Sequence, residues 1–140
     1  MISSIVSKGI VTNSIATNLI PKKLGPEQVI NGTFDVNANW TKGSAWVIAG
    51  GVATLTGDGS AQIMYQAGVF EIGKTYLVSF DVECGPNEIG FQRGDGSIVA
   101  SGTTGTVSIE WLADNQGLVF KRDNGIVNGY IDNASVREIL

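Results

Sequence analysis

The sequence predicts an all-β protein, an antiparallel sandwich preceded by an N-terminal arm. Three observations predict it. Short apolar–polar alternations recur from about residue 50 onward. Nineteen glycines against three prolines supply frequent turn signals between them. No stretch of the body shows the 3.6-residue periodicity of an amphipathic helix.

Residues 1–28 differ in texture from the rest of the chain. "MISSIVSKGIVTNSIATNLIPKKLGPE" is rich in Ile, Ser, Thr and Asn and has no aromatic residue. Isoleucine recurs at 5, 10, 15 and 20, a five-residue step that fits neither a helix nor a strand. The segment lacks the unbroken apolar core and cleavage site of a signal peptide. Pro21 and Gly25-Pro26 punctuate its junction with the body. Such a terminus is either a frayed leader or an assembly arm. We read an arm in which Ile2, Ile5, Val6, Ile10, Val11, Ile15 and Leu19 meet a partner surface.

The body then reads as strand after strand. "GGVATLTG" (50–57) is a short strand between glycines, and "AQIMYQA" (61–67) is the next. In "TYLVSFDVE" (75–83), Tyr76, Val78, Phe80 and Val82 share one face, and Leu77, Ser79, Asp81 and Glu83 the other. "EIGFQR" (88–93), "GSIVAS" (96–101), "TVSIEWLA" (106–113) and "GLVFKR" (117–122) continue the series, with "GDG", "GTTG" and "DNQG" turns between. Val107, Ile109 and Trp111 point together, so Trp111 is a core residue.

Composition narrows the function. The chain has 140 residues, the length of one domain. Histidine is absent, which removes the commonest general base and the usual zinc and iron sites. The acids mostly flank turn glycines or alternate on strands, so a non-enzymatic protein is expected. Cys84 is the single cysteine, expected as a half-buried small residue. Residues 1–23 carry Lys8, Lys22, Lys23 and no acid; the rest carry six basic and 13 acidic residues, giving +3 and −7 within the total of −4. An acidic body argues against a nucleic-acid partner. No apolar run approaches the ~18 residues that cross a membrane, so no membrane partner is expected.

Ordered motifs then point to a family. "LGPEQVINGTFDVNANWTKGSAWVIAGGVATLTG", "FEIGKTYLVSFDVE" and "YIDNASVREI" resemble the jelly-roll domains of carbohydrate-binding-module type, especially copies in tailed-phage virion proteins. The resemblance covers about residues 25–140 and implies a jelly-roll at 29–140 behind an arm at 1–28. It implies that the first and last strands pair, bringing 29–36 beside 129–138. Members that bind carbohydrate commonly hold a structural calcium at that junction. By position, Asp35 and Asp132 would give carboxylates, Thr33 a backbone carbonyl and the 57–61 loop further oxygens. The alternative is that these side chains only make Asx-type turn hydrogen bonds.

A glycan site needs exposed aromatic faces beside amides and carboxylates. Trp40, Trp46, Tyr65 and Gln62 are the candidates, with Gln66, Asn87 and Gln92 nearby in the pattern. In the family pattern, however, Trp40 and Trp46 usually plug the sandwich end, so core packing is the expected role of both. The resemblance implies a structural virion component, a decoration or fibre- or tail-associated protein assembled in the host cytoplasm. Its partners would be other virion proteins, in multiple copies or as a homo-oligomer. The alternative is a lectin-like module that adheres to surface polysaccharide.

Overall fold

The computed structural model describes residues 22–57, 62–123 and 125–140. The segment 1–21, with the seven side chains assigned to a partner surface, lies outside them, as do residues 58–61 of the 57–61 loop.

Eleven strands form among the described residues: β1 (Leu24–Glu27), β2 (Thr41–Lys42), β3 (Trp46–Ala49), β4 (Val52–Thr56), β5 (Met64–Gln66), β6 (Thr75–Pro86), β7 (Ile89–Gln92), β8 (Ile98–Gly102), β9 (Thr104–Leu112), β10 (Leu118–Arg122) and β11 (Val127–Ile139). They build two antiparallel sheets. A six-stranded sheet runs β9-β6-β11-β4-β3, with β1 also paired to β11; a five-stranded sheet runs β2-β5-β10-β7-β8. This is an all-β jelly-roll sandwich, and each of the seven strands read from alternation is found.

Alternation decides which side chains fill the interior. On β6 the buried residues are Tyr76, Val78, Phe80 and Val82, and on β11 Val127, Ile131, Ala134 and Val136. Met64, Leu118, Phe120, Ile89 and Phe91 face them from the five-stranded sheet. A chain of tilted and edge-on rings crosses the core. It runs Phe34, Trp40, Phe120, Phe80, Phe91, Trp111, Phe70, Tyr76, with centroids 4.8–6.4 Å apart. Each such contact adds about 0.5–1.5 kcal/mol beyond simple burial. Cys84 is half-buried, as expected.

The N-terminal boundary differs from the sequence reading. Leu24–Glu27, assigned to the arm, is a strand of the six-stranded sheet, with Glu27 opposite Arg137 and Leu24 opposite Ile139. Residues 29–36, read as the first strand, form a looped segment in which Asn31 and Phe34 take positive φ. The loop still lies against the last strand: Gln28 N–H donates to the Val136 carbonyl and Ala134 N–H to that of Gly32, both at 2.9 Å. A repeating ladder is impossible there, because left-handed residues break the two-residue alternation.

Candidate functional site

The "VINGTFDVNANW" motif organises that loop. Asn31 Nδ2 donates to the carbonyls of Val36 (2.6 Å) and Ala38 (2.9 Å), and Trp40 Nε1 donates to the Asn31 carbonyl at 3.0 Å. Phe34 and Trp40 enter the core beneath it. Gln66 pins the loop from below. Its Oε1 accepts Ile30 N–H at 2.8 Å, and its Nε2 donates to the carbonyls of Ile30 (2.8 Å) and Asn39 (3.2 Å).

This packing removes most of the glycan-site candidates. Trp40 is 9% exposed and Trp46 1%, so neither offers a ring face to a sugar. Gln62 is used internally: its Oε1 accepts Ala45 N–H at 2.6 Å and the Ser44 hydroxyl at 3.3 Å, while its carbonyl accepts Trp46 Nε1 at 3.2 Å. Tyr65 remains half-buried, opposite Thr41 and Val119 on the outward side of the five-stranded sheet. The four candidates therefore do not form one site. The indoles went inside because they are the largest apolar bodies available to close this end of the sandwich.

The metal candidates also separate by partner. Thr33 Oγ1 donates to Asp35 Oδ2 at 2.7 Å within the exposed loop. Asp132 Oδ1 accepts the N–H of Asn133 at 2.7 Å, at a break in the β11–β6 register. Among the described residues no three acid, His or Cys side chains are grouped to hold a metal. Calcium takes six to eight oxygens, and part of the set expected to supply them, residues 58–61, lies outside the described residues.

Asp132 belongs instead to a feature the sequence reading passed over. The outward residues of the six-stranded sheet line up in rows. Thr54, Tyr130, Glu83 and Thr104 make one row, and Asp132, Asp81 and Thr106 the next. Tyr130 is 41% exposed. With Asp81, Glu83, Thr106 and Asp132 it lines a cleft of ≈ 340 Å³. The acids are held in place: Thr106 Oγ1 donates to Asp81 Oδ1 at 2.6 Å, Asn133 Nδ2 to Asp81 Oδ2 at 2.8 Å, and Thr104 Oγ1 to Glu83 Oε1 at 2.8 Å. The hydrogen bonds from Asn133 and then Thr106 hold the Asp81 carboxyl below the usual range, outweighing a small desolvation effect. A half-open ring beside fixed carboxylates and hydroxyls can stack on a sugar C–H face and accept its hydroxyl protons. The signal was present in the sequence, since Tyr130 alternates with buried Ile131 just as Asp132 does.

A second concavity of ≈ 430 Å³ sits at the sandwich end, lined in part by Phe70, Tyr76, Gln28 and Gln116. Lys74 also lines it, 3.3 Å from Glu71 and 3.6 Å from Glu138. Its ammonium is engaged by those two acids.

No family model matches the chain, and no curated protein does. Among solved structures it is similar to a CBM4 structure, at 11% identity and a TM-score of 0.50, over 71% of this chain and 94% of that one. It is also similar to the enzymatically active domain of tailspike protein 4 from bacteriophage CBA120, at 16% identity and a TM-score of 0.51 over 81% of this chain. This chain spans 21% of that tailspike chain. These likenesses show the fold, a carbohydrate-binding-module-like β-sandwich.

Proposed function

We propose that this chain, a carbohydrate-binding-module-like sandwich, is a non-enzymatic structural component of a bacteriophage virion. Its N-terminal arm anchors it to other virion proteins, and the sandwich is displayed outward. The observation that carries the reading is the likeness over 81% of this chain to part of a phage tailspike, joined to a basic, acid-free N-terminal segment too short to form a core of its own. The ordered motifs of the sequence support it independently. Isoleucines that a short segment cannot bury alone are worth roughly 1.5–3 kcal/mol each once a partner covers them. Repetition around a particle would add avidity. The test is co-sedimentation of the full chain with assembled particles, quantified against the major coat protein. A fixed copy number, lost on deleting residues 1–21, is expected. Normal incorporation of the truncated chain overturns the assignment of the anchor, and absence from particles overturns the reading.

One observation favours a second reading, adhesion to polysaccharide. It is the exposed Tyr130 ring set among Asp81, Glu83, Thr106 and Asp132. Titration with neutral oligosaccharides should shift Tyr130 ring resonances by NMR, and Tyr130→Ala should abolish binding while leaving the melting temperature within about 2 °C, because surface substitutions usually stay within ±0.5 kcal/mol. Absence of any shift at millimolar sugar overturns this reading.

A further inference from the structure

β9 ends the six-stranded sheet, and among the described residues no strand pairs with its outer edge. It is much the longest edge of either sheet. Thr104–Leu112 has nine residues, against four each in β1 and β3, two in β2 and five in β8. Native sheets guard such edges with short length, proline, lysine or a bulge. β9 has no proline or lysine and keeps unbroken register with β6 from Thr104 to Leu112. Half of its amides and carbonyls therefore face outward with no ladder partner among the described residues.

The chain itself approaches this edge. Lys22 Nζ lies 3.3 Å from Glu110 Oε2, although β11 and β6 separate β1 from β9. The residue immediately after the N-terminal segment thus reaches across the outer face of the sheet toward β9. The segment is suited in composition to pairing there. Ile, Val, Thr and Ser make up most of residues 2–20, and no proline intervenes before Pro21. It carries Lys8 and no acid, opposite to the Asp81, Glu83, Glu110 and Asp132 carboxylates on that side of the sheet. Nine strand residues need roughly 30 Å, whereas 21 extended residues reach roughly 70 Å. Enough chain remains to leave one sandwich and lie along another.

We propose that the outer edge of β9 is the seat for residues 1–21 of a second copy, which adds there as a further strand. Main-chain hydrogen bonds supply the affinity, and the alternating outward residues of β9 fix the register. A second copy is the occupant because the Lys22 ammonium meets Glu110 on the outer face of its own sheet, not along its own β9 edge. A neighbour's segment can enter in plane. The inference rests on reading residues 1–21 as an assembly element, and names its first partner as the chain itself.

The test uses purified full chain without particles, so its failure is separate from failure to join a virion. Sedimentation velocity and amide hydrogen exchange are followed across a hundredfold dilution. At high concentration the mass should be two copies or more, and the outward amides of 104–112 should exchange at least tenfold more slowly than after dilution. Deleting residues 1–21, which leaves the described core whole, should give a monomer with fast exchange on β9. A synthetic peptide of residues 1–21 should restore protection to that monomer. Protection that is independent of concentration in a monomer would mean that the chain's own segment occupies the edge, and overturns the proposal. Association that leaves β9 exchange unchanged, or that persists without residues 1–21, overturns it as well.

Discussion

Gln66 is buried at 7% exposure and has three hydrogen bonds to the backbone of the 30–39 loop. Its amide substitutes for a missing strand partner. Gln66→Ala would leave one buried N–H and two carbonyls without partners, at roughly 1–3 kcal/mol per group before water relieves some of it. We expect a loss of about 3 kcal/mol in urea unfolding, with Gln66→Glu also damaging because it keeps the acceptors and loses the donor. Asp81 gives a pH prediction. Its carboxyl sits below the usual value in the folded chain because Asn133 and Thr106 donate to it. Stability from these bonds is fully present above the unfolded carboxyl value near 3.8 and is lost as pH falls through the lower folded value. An NMR titration should show Asp81 below 3.8. Asn133→Ala should move it up more than Thr106→Val.

At the scale of elements, the junction of the 29–36 loop with β11 sets how the sandwich closes. Gly32 lies so close to β11 that an added methyl would overlap the Ala134 carbonyl oxygen, a backbone atom that cannot yield cheaply. Gly32→Ala should therefore cost about 1–3 kcal/mol. It should do so without disturbing β6 or β9, which hydrogen exchange can check. The family resemblance implies a calcium held near this junction by Thr33, Asp35 and Asp132. Since Thr33 bonds Asp35 and Asp132 bonds the Asn133 amide, we expect the melting temperature to be the same with and without chelator. A drop on chelation, abolished by Asp132→Ala, would instead establish a bound ion that stabilises the fold by mass action.

For the molecule as a whole, the all-β class was legible in the residues alone. The strands of 75–83 and 106–113 carry a two-residue alternation long enough to fix both element and inward face, and these same faces fill the core. The approach of residues 29–36 to the last strand came through the resemblance to carbohydrate-binding-module-type jelly rolls, which expected a strand there where the structure has a loop. Tertiary structure decided the rest. That Leu24–Glu27 is a strand depends on β11 extending far enough to pair with it, a contact more than 100 residues away in sequence. Which aromatic rings are surface and which are core was also settled in three dimensions. A tryptophan beside a turn can face either way until the opposite sheet supplies neighbours. Trp40 found Phe34 and Phe120, while Tyr130, on a strand whose inner face was already filled by Ile131 and Val127, was left facing solvent among carboxylates.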